Sequence, residues 1–178
     1  MKNLSKSTNY VVQSGLIAAL YAALTYLSGL LGLSYGPVQF RVSEALTILP
    51  VFTPAAIPGL VIGCFIGNLG SPYGLIDIIF GTIATLFAAI FSRLVRKVKF
   101  KGFPIFAPLM PVIFNAVIIG AEIAYFLPKG TRWIGFLMAA LQVGVGELVV
   151  CYLVGFLLFK SVKSSGIEKM FKQTKNNG

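Results

Sequence analysis

Histidine is absent from the 178 residues, cysteine occurs twice, and only five side chains are acidic. Without histidine there is no Ser/His/Asp triad and no H-E-x-x-H metal site. Cys64 and Cys151 stand in separate apolar stretches without metal-ligand spacing, so both are expected to pack as small hydrophobes. The sequence also lacks a G-x-x-x-x-G-K-[ST] loop, which excludes ATP binding through a P-loop on this chain. Any energy source is therefore a gradient or another polypeptide, and no cofactor is implied. Charge of either sign is scarce, at 11% of residues against 57% hydrophobic, a balance that a soluble domain does not need.

What is present is apolar sequence in runs of about 20 residues, the length that spans a bilayer. The net charge of +10 does not indicate nucleic acid, because the basic residues cluster beside the apolar runs instead of forming an aromatic-interleaved face. Proline, glycine and charge cut the chain into six apolar segments, 11–31, 40–52, 55–70, 73–92, 105–127 and 133–159. The expected fold is an all-α integral membrane protein, a six-transmembrane-helix bundle forming one domain over 1–160, followed by a basic tail over 161–178. The first run is too long for a signal-peptide core and reads as a retained helix. Segments two and three are short, and Pro50, Pro54 and Pro58 crowd their junction, so a tight turn is expected near Thr53. A single broken segment over 40–70 is the alternative.

Six spans put both termini on one side. Lys2, Lys6, the loop Arg93, Arg96, Lys97, Lys99 and Lys101, and the lysines from Lys160 to Lys175 fall together, against Arg41, Lys129 and Arg132 opposite. The positive-inside rule then makes both termini cytoplasmic and the protein a multi-pass component of a cell (plasma) membrane. Glu168, among tail lysines, reads as a solvated ion-pair partner.

Glu44, Asp77, Glu122 and Glu147 lie within the apolar segments. An ionisable group at mid-membrane costs about 2.5–3.5 kcal/mol on insertion scales, so such residues mark a polar cavity. Counting residues from the outer ends places Glu44, Asp77 and Glu122 at one level, about 7–8 Å below the external interface. The same count from Trp133 places Glu147 about 20 Å down, in a different environment assigned to packing or coupling.

Arg41 and Glu44 are three apart, so the pair either neutralises itself or presents a held carboxylate to a ligand. Asn68 and Tyr73 sit in the turn-rich Gly67-Asn68-Leu69-Gly70-Ser71-Pro72-Tyr73-Gly74, just before Asp77. Asn115 and Glu122, seven apart, share a helix face that suggests a cavity wall, although interhelical hydrogen bonding fits as well. Gln142 is the outer-level polar group of the last segment. Gly59, Gly63 and Gly67 form one small-residue stripe, and Gly15 with Ala18, Ala19, Ala22 and Ala23 another, suited to close helix packing or to a second protein.

The stretch Arg41-Val42-Ser43-Glu44-Ala45-Leu46, the run Ala56-Ile57-Pro58-Gly59-Leu60, and Asn68 through Gly74 leading to Asp77-Ile78-Ile79-Phe80-Gly81 resemble the QueT family of queuosine-precursor transporters. Members of that family are substrate-binding S components of energy-coupling factor transporters. The resemblance, specific over about residues 38–90, implies a bacterial importer subunit, not an enzyme, that captures a pre-queuosine base or queuine from outside. Its partners would be a transmembrane coupling protein and two ATPase subunits, met through Ala18, Ala19, Ala22 and Ala23. A guanine-like edge offers adjacent N–H donors that a carboxylate accepts as a pair, and an aminomethyl substituent adds a cation that wants a second carboxylate. Glu44, Asp77 and Glu122 fit those roles, with Arg41 beside them. Asn68, Asn115 and Gln142 are candidates to read the remaining polar atoms, and Tyr73, Trp133 and Phe40 to flank the ring. Two rival readings are a proton-coupled secondary carrier, against which the absence of an internal repeat counts, and an intramembrane enzyme using a carboxylate base.

Overall fold

A backbone in hydrocarbon must satisfy its own polar groups, so apolar runs bounded by glycine, proline and charge become helices. The computed structural model describes residues 6–34 and 40–172. Its helices are α1 (Lys6–Leu30), α2 (Ala56–Asn68), α3 (Leu75–Leu94), α4 (Leu109–Tyr125), α5 (Arg132–Val149), α6 (Gly155–Ser164) and the short α7 (Ile167–Lys172). A 3₁₀ segment, Val42–Val51, lies between α1 and α2, and a π-helical stretch, Val150–Val154, joins α5 to α6. Three pieces are long and apolar enough to cross a membrane: Lys6–Leu30, Leu75–Lys97 and Lys129–Ser164. Val42–Val51, Ala56–Asn68 and Leu109–Tyr125 are shorter apolar helices. The outer surface exposes Leu16, Ile62, Phe87, Leu141 and Leu157 among many large apolar side chains, a coat suited to lipid. The protein is a multi-pass membrane protein.

The segments alternate in direction. Val42, Ser43 and Glu44 meet α1 at Ser28, Thr25 and Tyr21 in turn, so the 3₁₀ segment runs antiparallel to α1. The turn expected near Thr53 follows, where the Thr53 hydroxyl donates to Gln13 over 2.9 Å. α2 then climbs parallel to α1, and its glycines set the spacing. A Cβ on Gly59 would stand 2.7 Å from the Ser14 carbonyl, one on Gly63 2.7 Å from that of Ala18, and one on Gly67 2.9 Å from the Thr25 Cβ. α4 and α5 pack antiparallel, with Gly120 against Ala140 and Gly144 against Ala116. Phe52 packs on Phe159 and Phe171 with centroids 5.1 and 6.5 Å apart. The start of α1 and the end of α6 therefore share one end of the bundle.

At the centre runs the 3₁₀ segment, its residues from Ser43 to Pro50 all buried. Ten residues of 3₁₀ helix advance about 20 Å, at about 2.0 Å each, where α-helix would advance about 15 Å. This geometry lengthens a run that looked too short for a span. It also has three residues per turn, which stacks Arg41, Glu44 and Thr47 along one line; Thr47 Oγ1 donates to the Glu44 carbonyl over 2.6 Å.

Two sequence expectations change. Arg41 is buried, at 3% exposure, and is not a loop charge of the outer face. The last helix runs past 159 to Ser164, and Val162 and Phe171 pack against the core. Lys2, the first two residues of the 38–90 stretch and the tail beyond 172 lie outside the described residues.

Candidate substrate-binding site

Hydroxyls on α1 recur at Tyr21, Thr25 and Ser28, one face of a helix, and they fix the start of the 3₁₀ segment. Ser28 Oγ accepts from the Val42 N–H over 3.3 Å, Thr25 Oγ1 donates to Ser43 Oγ over 2.8 Å, and the Tyr21 hydroxyl donates to a Glu44 carboxylate oxygen. Tyr21 and Glu44 are 0% and 1% exposed. Glu44 thus lies level with a residue nine positions inside the end of α1, about 13 Å in, deeper than the count from residue 40 implied.

Asn68, at the end of α2, joins three elements. Its Oδ1 accepts from the Arg41 guanidinium, and its Nδ2 donates to the Asp77 carbonyl over 3.1 Å and to Cys64 Sγ over 3.5 Å. Gly81, one turn past Asp77 on α3, makes room: a Cβ there would stand 2.5 Å from Asn68 Nδ2. The buried Asp77 is within electrostatic reach of Arg41.

The other wall comes from α4 and the last helix. The Asn115 amide adjoins the carboxylates of both Glu44 and Glu147. Cys151 Sγ lies 3.4 Å from Glu147 Oε2 and 3.7 Å from the Glu44 carbonyl. Cys151 belongs to the π-helical stretch that begins three residues after Glu147; such wide turns are common at functional sites. Glu122, two turns above Asn115, senses Asp77 and Arg41 and lines an apolar groove of about 610 Å³ between α3 and α4, with Ile76, Phe80, Ile83, Val117 and Tyr125.

Four acids and one arginine, each no more than 6% exposed, therefore occupy one bundle interior. Glu44 Oε2, Glu122 Oε2, Glu147 Oε1 and Arg41 Nε are buried without a hydrogen-bond partner. A buried polar atom left unpaired costs about 1–3 kcal/mol and more when charged. Three free carboxylate oxygens and one free guanidinium N–H are what a ligand with several N–H donors and a carbonyl acceptor would complete.

The model of the QueT transporter family matches residues 11–164. The chain belongs to the QueT transporter family. A QueT relative, the Queuosine precursor transporter QueT of Lactococcus lactis subsp. cremoris (strain MG1363), is 43% identical over 84 residues, which cover 47% of this chain and 49% of the relative. The match thus takes in about half of that relative's length. No solved structure matches the chain.

In this QueT chain the structure brings together Arg41, Glu44, Asn68, Asp77, Asn115 and Glu122 among the residues singled out by sequence. Glu147 joins them, which corrects the division that set it apart. The levels are instead Glu44 with Glu147 and Asn115 in the depth, and Asp77 with Glu122 above. Trp133 is 71% exposed and stacks on Phe136 at 5.6 Å, an interfacial anchor, and Tyr73 is 43% exposed, its backbone N–H donating to Ser71 Oγ over 3.2 Å. Gln142 and Phe40 are half-buried. Ala18 packs against Gly63 of α2 and Ala22 is buried, while Ala19 and Ala23 are exposed. Tyr21 was missed, although its helical spacing with Thr25 and Ser28 was visible in the sequence.

Proposed function

We propose that this chain is the substrate-binding subunit of an importer that takes up a queuosine precursor, a deazaguanine base. The set of unpartnered buried atoms on Glu44, Glu122, Glu147 and Arg41 carries this reading. The guanine-type N–H edge pairs with one carboxylate, an aminomethyl cation with another, and the ring carbonyl with Arg41 Nε or an amide. The name of the relative supports the substrate class, and the resemblance over residues 38–90 supports an S component energised by a coupling protein and two ATPases on other chains. Exposed Ala19 and Ala23, beside Gly15, leave α1 a small-residue face for the coupling protein. Six spans with both termini cytoplasmic complete this reading.

The test is binding of the aminomethyl, nitrile and cyclopentenediol forms to the purified chain in detergent. Glu44→Gln and Glu147→Gln are expected to weaken binding at least about tenfold each. Unchanged affinity in both, and in Glu122→Gln, overturns the site.

One observation favours a second reading. Four buried acids face a single buried arginine, so the free protein needs protons or another cation for neutrality, as a proton-coupled carrier would. Uptake by the chain alone in vesicles under a pH gradient supports that reading; dependence on ATP and partner subunits excludes it.

A further inference from the structure

At the end of the bundle where α1 begins and α6 ends, a small pocket of about 180 Å³ is lined by Lys101, Lys160 and Lys163 over Phe103 and Phe159, with no acid among the described residues of its wall. Phe103 and Phe156 also line a second groove, about 610 Å³, that runs over Ile105, Tyr152, Leu153 and Leu157. The two form one channel with a cationic mouth and an apolar floor. All three lysines are exposed, as are Leu153, Phe156 and Leu157, the last at 62%.

The walls are built, not incidental. Phe103 meets Phe156 and Phe159 edge-on, both with centroids 5.2 Å apart, and the Tyr152 hydroxyl donates to the Ile105 carbonyl over 2.7 Å. Lys163 Nζ lies 5.3 Å from the Phe159 centroid. Lys101 heads a tight turn closed by Phe100 and Phe103 through hydrogen bonds of 2.9 and 3.0 Å. Its φ of +47° is the sole positive value for a residue other than glycine among the described residues. A left-handed L-residue costs about 1–2 kcal/mol, a strain met where glycine would serve the backbone better but would bring no ammonium group.

We propose that this channel binds an anionic phospholipid from the adjoining leaflet, its phosphate among Lys101, Lys160 and Lys163 and an acyl chain along Leu153 and Leu157. Charge complementarity selects the occupant: three ammonium groups attract a phosphodiester, each adding favourably near a membrane surface, and the contiguous apolar groove suits a chain that a free anion lacks. This site is separate from the acids of the bundle interior.

Native mass spectrometry of the full chain tests it, with phosphatidylglycerol and phosphatidylcholine of identical acyl chains as probes. Retention of phosphatidylglycerol at least about tenfold above phosphatidylcholine is expected, and Lys101→Gln/Lys160→Gln/Lys163→Gln should abolish the preference. The control Lys97→Gln/Lys99→Gln/Lys169→Gln, equal in charge and outside the pocket, should keep it. Leu157→Asn, which spares every lysine, should weaken retention and checks the acyl arm independently. Equal retention of the two lipids, equal loss in both triple variants, or inorganic phosphate competing as strongly as phosphatidylglycerol overturns the proposal.

Discussion

The Tyr21 hydroxyl donates to the Glu44 carboxylate inside the bundle, both side chains all but inaccessible. Through this bond the helix that bears the exposed Ala19 and Ala23 touches an acid of the candidate site directly. Tyr21→Phe removes the donor and leaves Glu44, whose Oε2 already lacks a partner, without any side-chain donor from α1. A loss of about 1–3 kcal/mol is expected, read as a lower Tm in detergent and partly restored by bound ligand.

At Gly63 α1 and α2 approach closely, and a Cβ there would stand 2.7 Å from both the Ala18 carbonyl and the Tyr21 Cβ. Backbone cannot yield as a side-chain tip does, so Gly63→Ala should destabilise by about 1–3 kcal/mol. Gly15→Ala, which meets nothing within 4 Å, should be neutral or stabilise by up to about 1 kcal/mol. Thermal unfolding of the two variants side by side checks the contrast.

Gly81→Ala acts on the site without touching a charge. The new Cβ displaces the Asn68 amide and with it the partner of the Arg41 guanidinium. Affinity for the proposed ligand should fall at least about tenfold while the helical circular-dichroism signal persists.

Trp133→Ala provides the opposite outcome. The ring is largely exposed and stacked on Phe136, so calorimetric titration should find ligand affinity within about a factor of two of the parent, the scatter of an ordinary surface substitution.

The helical boundaries were legible because glycine, proline and charge mark helix ends chemically. The segment 55–70 became Ala56–Asn68, and 73–92 became Leu75–Leu94. What one-dimensional counting missed was depth. It assumed that each segment starts at the interface and rises as an α-helix, whereas Arg41 is already buried and Val42–Val51 is 3₁₀. Glu44 and Glu147 therefore met at a level that neither count foresaw. The identity of the acids was readable because charge in an apolar run is costly wherever it sits. Their grouping was not, because it depends on which helix stands beside which.

The site draws on the chain from Tyr21 to Cys151, and that span sets an order of events during synthesis. Tyr21, Arg41 and Glu44 reach the bilayer first, and the segments bearing Asn115 and Glu147 follow last. Until α4 and α5 arrive, the early acids face lipid with only α1, α2 and α3 to shield them. Contacts this distant in sequence form slowly, so the half-made protein carries a conspicuous polar wound in the membrane. Completion of the last helix is the moment that heals it, and chains that stall before Glu147 are the ones a membrane protease should find first.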